Sequence, residues 1–140
     1  MKGTAHQNLA VRSVLVPASY GAAAEAFTSG IDCQGYDELL LVFHIGTATA
    51  TGDLTLQVEE SSDDGVADTY ADVTGAAVSE ITVSNDNTVY VARVDLTKRE
   101  RYLRVGYDVD DDAVIFGITA IFSQAKVYPV TQTNTVSFNV

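Results

Sequence analysis

The side chains that most often serve as nucleophile or general base are scarce in this sequence. It contains two histidines, His6 and His44, and one cysteine, Cys33. His44 lies within an apolar run, where a hydrogen-bonded structural histidine is the expected role. Cys33 has no cationic neighbour in the sequence to lower its thiol pKa, so we expect it to be buried and inert. Because nucleophilic catalysis needs a nucleophile, a base and an orienting group together, the sequence predicts a protein that is not an enzyme.

Carboxylates, in contrast, are plentiful and fall in clusters typical of loops. The sequence has 19 Asp and Glu residues, so a general acid and base pair is the remaining enzymatic alternative. Asp108, Asp110 and Asp112 match the first three spacings of an EF-hand loop, which makes calcium the one candidate cofactor. Ala113 and Thr119 stand where that loop needs its glycine and its glutamate. The sequence therefore leaves two interpretations open, a solvated turn and a cation site of another kind.

The overall charge excludes several classes of partner. Lys and Arg number 8 against 19 acidic residues, a formal net charge of −11. Such a surface repels phosphate, so no nucleic-acid partner is expected. No apolar run approaches the roughly 18 residues of a membrane span, and polar residues follow the N-terminal Met-Lys. We therefore expect neither a membrane segment nor a signal peptide.

Five of the eight basic residues are concentrated in one short stretch of the chain. A polar turn with ordinary solvated charges is one explanation. The other is a positive patch that docks on an acidic neighbour, such as another copy of this chain, and it makes Arg99 and Arg101 interface candidates. The five residues are Arg93, Lys98, Arg99, Arg101 and Arg104.

Hydrophobic periodicity predicts β-strands almost throughout. Leucine and valine alternate with polar residues over 54–59, a period of two. Residues 37–46 are a nearly continuous apolar run, typical of a strand buried on both faces or crossing the middle of a sandwich, and residues 113–123 form the strongest apolar strand. Residues 21–27 favour either a helical turn or an edge strand. About eight short strands separated by turn residues predict an all-β fold, an antiparallel sandwich or barrel. The other candidate strands are 11–16, 29–34, 67–73, 77–83, 88–96 and 101–109.

The two ends differ from the middle of the chain. The pattern predicts a flexible arm at 1–10, one β-sandwich domain at 11–125 and an extension at 126–140. Residues 130–140 carry no formal side-chain charge and have high β propensity. Such a segment either completes the sheet of its own subunit or adds a strand to a neighbour. The apolar side chains expected to supply contact area are those of Val130, Val136, Phe138 and Val140.

Three stretches together resemble small all-β virion proteins of tailed bacteriophages. The first, 29–43, has an Ile-Asp pair, a Gly-Tyr-Asp turn and a buried strand; the second, 54–65, contains Val-Glu-Glu-Ser-Ser-Asp-Asp-Gly. The third, 98–105, ends in Arg-Tyr-Leu-Arg-Val. The likeness covers roughly 27–124. Its motifs mark strands and turns, so no functional residue is carried over from the family.

The resemblance implies a jelly-roll-like β-sandwich on a phage head. Members of this group commonly act as decoration, or cement, proteins that bind the outer capsid surface as oligomers, often trimers. The implied partner is the major capsid protein, and the implied location is the virion. A minor head–tail or tail structural protein is one alternative. The acidic loop and the seven tyrosines leave a second, a β-sandwich module that binds glycan or calcium.

Overall fold

A computed structural model describes residues 4–132, except for the side chains of His6 and Ser79. It contains nine strands, one helical turn and two short 3-10 turns, at Val83–Asn85 and Leu96–Lys98. No helix in this range is long and apolar enough to cross a membrane. The helical turn and the strands are α1 (Ala5–Asn8), β1 (Ala10–Tyr20), β2 (Ala23–Phe27), β3 (Ile31–Asp32), β4 (Tyr36–Ala48), β5 (Asp53–Ser61), β6 (Ala71–Ile81), β7 (Val89–Asp95), β8 (Tyr102–Asp110) and β9 (Val114–Ala125).

The strands form two antiparallel sheets that pack face to face. One sheet has the order β1-β9-β4-β7, and the other has the order β2-β8-β5-β6, with β3 also pairing with β8. Because β2 and β3 follow one another along the same side of β8, they occupy one strand position. Eight strand positions divided between two sheets in this order form a jelly roll. The predicted all-β antiparallel sandwich of about eight strands is therefore confirmed.

The core lies between the sheets and follows the alternation of inward and outward side chains along the strands, as β4 and β9 of the first sheet show. In β4, Leu39, Leu41 and Phe43 point inward and are almost fully buried. In β9, Phe116 and Phe122 do the same. Apolar residues also stand at the outward positions of β4, but those side chains are only half-buried. The run at 37–46 is therefore a central strand with one buried face, rather than a strand buried on both.

The structure decides one open alternative and corrects other local predictions. Residues 23–27 form an edge strand, one of the two alternatives for 21–27, and not a helical turn. The candidates at 67–73 and 77–83 are replaced by one strand, β6, because Gly75 adopts a φ of +78° and forms a bulge within the strand instead of ending it. The acidic loop expected at 108–112 is shorter, since β8 continues to Asp110.

The two ends of the described chain meet beside the start of β1. The backbone N–H of Val130 donates to the carbonyl of Gln7 (3.0 Å). The Gln132 side chain then accepts from Val11 N–H (3.2 Å) and donates to the Leu9 carbonyl, so its amide takes the place of a paired peptide group. Val130 is buried in its own subunit. Val136, Phe138 and Val140 lie outside the described residues.

Candidate functional site

The clustered basic residues are each held by a carboxylate of the same chain. Arg99 contacts Glu60 at 3.0 Å and Arg101 contacts Asp32 at 2.7 Å. The hydrogen bond from Arg101 lowers the pKa of Asp32 below its ordinary value. The predicted patch is therefore a set of neutralised pairs rather than a free positive surface. The other pairs are Arg93–Glu38, Lys98–Asp95 and Arg104–Glu59.

Arg104 has the most enclosed of these sites. Its guanidinium lies between two rings, 3.9 Å from the centroid of Phe27 and 4.2 Å from that of Tyr70. It also contacts Glu59, a carboxylate that is only 8% exposed. Gly106 is two residues along β8, where any β-carbon would approach the Phe27 ring to 3.1 Å. Cation–π contact and ion pairing together indicate a structural clamp across the outer face of this sheet.

The motif at 61–65 shapes the loop between β5 and β6. The Asp63 carboxylate accepts N–H bonds from Val66, Ala67 and Asp68, at 3.0, 2.8 and 3.1 Å. These bonds lower the pKa of Asp63. The Ser61 hydroxyl donates to the Asp68 carbonyl at 2.8 Å. Ser61 and Asp63 of this motif therefore satisfy the loop's own backbone.

The acidic residues at the end of β8 lie among other carboxylates. Asp110 is directly opposite Asp53 of β5, and the Asp112 carboxylate accepts the Ala113 N–H at 2.7 Å. Partial desolvation, followed by the charges of Asp110, Asp111 and other acids, raises the pKa of Asp53. Within residues 4–132, no three His, Cys, Asp or Glu side chains are arranged to hold a metal ion.

The environment of Asp53 leads to a testable prediction about how the stability of the protein depends on pH and salt. A raised carboxyl pKa means that ionised Asp53 destabilises the folded state at neutral pH. Asp53→Asn should therefore raise the Tm at pH 7, and high salt should reduce the gain. The gain should decline as the pH falls through the raised pKa and vanish below the ordinary value of 3.8. Thermal unfolding of both proteins from pH 3 to pH 7 measures this, and an unchanged or lower Tm at pH 7 would contradict it.

The Cys33 thiol and the His44 imidazole differ in their burial. Cys33 is buried and donates to the Ile31 carbonyl at 3.3 Å. Desolvation, aided by the charge of Asp32, raises its pKa to about 12. His44 is exposed on the outer face of β4, opposite Val89, because the strand alternates and its odd-numbered residues take the core. The expected hydrogen-bonded structural histidine is therefore wrong, whereas the buried cysteine is confirmed.

Exposed apolar side chains are a feature that the sequence reasoning missed. Val89 and Val91 of β7 are 54% and 60% exposed, and Phe27 is 40% exposed. The run at 88–96 has apolar residues at both odd and even positions, which was the available signal. The alternation of β7 places Val89 and Val91 on the outer face of the sandwich, and only the sheet order shows that this strand lies at an edge.

Comparison with known proteins supports the fold. No protein-family model matches this sequence. No curated protein matches it either. The chain is similar to the crystal structure of the infectious bursal disease virus VP2 subviral particle, with a TM-score of 0.56 and 8% identity over 84% of this chain and 32% of that one. A structure of the Gx strain of the same virus gives a TM-score of 0.53 and 10% identity over 86% and 33%.

These likenesses cover most of this chain but only part of the viral chains. This chain spans about a third of the length of the viral chains that it matches. At 8% and 10% identity, the comparison establishes a shared jelly-roll fold and transfers no residue roles.

Proposed function

We propose that this chain is a structural virion protein that assembles as an oligomer and contributes surface rather than catalysis. The single observation that carries the proposal is the jelly-roll topology, which the chain shares with a protein of a subviral particle. The exposed valines of β7 support it, because apolar surface at a sheet edge is typical of a contact site. The neutralised arginines and the inert cysteine are consistent with a scaffold rather than an active site.

The finer proposal is a decoration subunit of a tailed-phage head, bound to the outer surface of the major capsid protein. Its support is the resemblance at 27–124, whose motifs fall on strands β4, β5 and β8 and on the loop at 61–65. A trimer is the oligomer favoured by that resemblance. A stable docking of this kind needs an interface of at least about 1,000 Å².

Two measurements test this function. Light scattering after size-exclusion chromatography at micromolar concentration should give an oligomer, and a strict monomer would contradict the oligomeric role. Assembled shells of the major capsid protein should bring the purified chain down in a sedimentation assay and unfold at a higher temperature with it bound. An oligomer that neither sediments with shells nor stabilises them would overturn the decoration role and favour a head–tail or tail position.

A further inference from the structure

Three of the four sheet edges are irregular, as is usual for strands that must not pair with other chains. The pairing of β1 with β9 shifts twice, and the strand contains Pro17. The pairing of β6 with β5 also shifts twice, near Gly75 and Glu80, which have φ of +78° and +47°. The edge strand β2 has five residues and one shift.

The fourth edge, β7, is regular. Its seven residues pair with β4 in unbroken register, from Glu38↔Asp95 to His44↔Val89. The hydrogen bond from the Ile45 N–H to the Thr88 carbonyl (2.9 Å) shows which residues of β7 have peptide groups that face β4. Because hydrogen-bonded and non-bonded pairs alternate, the peptide groups of the odd-numbered residues 89–95 point away from β4. Within residues 4–132, no strand pairs with that side of β7.

An apolar slot runs beneath this open edge. The two sheets part between β7 and β6, leaving a cavity of about 190 Å³. Small residues make up much of its rim, so a strand laid beside β7 could place side chains between the sheets. Arg93, which pairs with Glu38, also lines the slot, and the main apolar lining residues are Phe43, Leu56, Val58, Ala76, Ala92 and Val94.

Residues 133–140 have the chemistry that this edge and slot require. Their side chains carry no formal charge, in a chain of net charge −11, so these side chains bring no further repulsion to a contact between copies. Their apolar members Val136, Phe138 and Val140 recur with a period of two, opposite the polar Ser137 and Asn139. On a strand, that pattern puts three apolar side chains on one face.

We propose that β7 is the acceptor for residues 133–140 of a neighbouring copy, which add to its sheet as a fifth strand. Backbone bonds to the outward peptide groups of β7 supply the affinity, and Phe138 enters the slot between the sheets. This inference rests on the proposed function only in requiring that copies of the chain associate.

The distance across the sheet argues for a neighbouring copy. Gln132 is bound at β1, and β1 and β7 are opposite edges of one four-stranded sheet. Three strand spacings are about 14 Å, which is about four residues of extended chain. A segment crossing its own sheet would therefore use residues 133–136 to reach β7 and leave only four residues, 137–140, to pair along it. The same segment of an adjacent subunit has no such limit.

A matched pair of edge variants tests the acceptor. Val91→Pro removes one outward N–H without removing a bond to β4, whereas Val91→Thr keeps both the N–H and the β-branched shape. We expect Val91→Pro to raise the dissociation constant of the oligomer about tenfold, and Val91→Thr to leave it within about twofold. Phe138→Ala should raise it about ten- to hundredfold, and it leaves β7 untouched. Sedimentation velocity measures all three, with the Tm checking that each monomer is folded.

Cross-linking identifies which chain supplies the strand. Cys33 is buried, so an added thiol on the surface is the reactive one. Equal amounts of Val91→Cys and Ser137→Cys chains, mixed and oxidised, should give a disulfide-linked dimer. Val16→Cys, on the β1 edge and 68% exposed, is the control and should give no such band with Ser137→Cys.

The outcomes separate this inference from the proposed function. An oligomer that persists in both Val91→Pro and Phe138→Ala, with no cross-link, overturns the β7 contact and leaves the oligomeric role intact. A doubly substituted chain that forms its disulfide as a monomer overturns the neighbouring copy. A wild-type chain that is monomeric at all concentrations refutes the oligomeric role itself.

Discussion

Phe116→Ala should lower the free energy of unfolding by about 3–5 kcal/mol, because it empties a ring-sized space in a core that cannot close around it. Phe116 is 1% exposed, and its ring lies 4.8 Å from that of Tyr20 and 5.5 Å from that of Tyr107. These contacts link both sheets near the start of β9. For a chain of this length the Tm should fall by roughly 10–15 °C.

The neighbouring residue provides the control for that prediction. Ile115 is on the same strand but points outward and is 44% exposed. Ile115→Ala should cost no more than about 1 kcal/mol, since little packed surface is lost. Urea unfolding followed by circular dichroism measures both variants. Equal losses for the two would contradict the assignment of β9 faces.

Arg104→Ala should be the most destabilising substitution among the ion-paired arginines, costing about 2–3 kcal/mol. It leaves the Glu59 carboxylate, which is 8% exposed, without its partner, and it removes the cation between Phe27 and Tyr70. Arg93→Ala is the matched comparison. The side chain of Arg93 is 70% exposed in its pair with Glu38, so its loss should have a much smaller effect.

A second substitution distinguishes the cost of leaving the Glu59 carboxylate without a partner from the cost of losing the ring contacts of Arg104. Adding Glu59→Gln to Arg104→Ala should recover part of the stability, because the enclosed carboxylate is then neutral. Urea denaturation of the single and double variants gives the coupling. A double variant as unstable as the sum of its parts would show that Arg104 acts through ring contacts alone.

Local pattern was sufficient for the strands that cross the middle of the sheets. The apolar runs at 37–46 and 113–123 predicted β4 and β9 closely, because a central strand requires apolar residues over most of its length. Pattern failed where the chain leaves regular geometry. Gly75 and the acidic residues at 108–112 both suggested breaks, yet β6 and β8 continue through or into them.

The candidate sites were harder to predict because they depend on partners far along the chain. Sequence spacing grouped Arg99 and Arg101 as a patch, but their carboxylates come from Glu60 and Asp32 on other strands. No feature of the sequence near Arg99 or Arg101 indicates these pairs. Likewise, the apolar run around His44 predicted a structural histidine, and only the register against β7 and β9 shows its outward position.

The amino-acid sequence by itself determined the all-β class and the buried, unreactive Cys33, since both follow from side-chain type and short-range alternation. The tertiary structure alone decided which strands are edges, which arginines are neutralised and where an apolar slot opens. Those properties arise when strands distant in sequence exchange hydrogen bonds, and β7 pairs with a strand about fifty residues before it. The residues of a strand do not determine whether both of its edges pair with other strands. The open edge of β7 is therefore visible only in the folded structure.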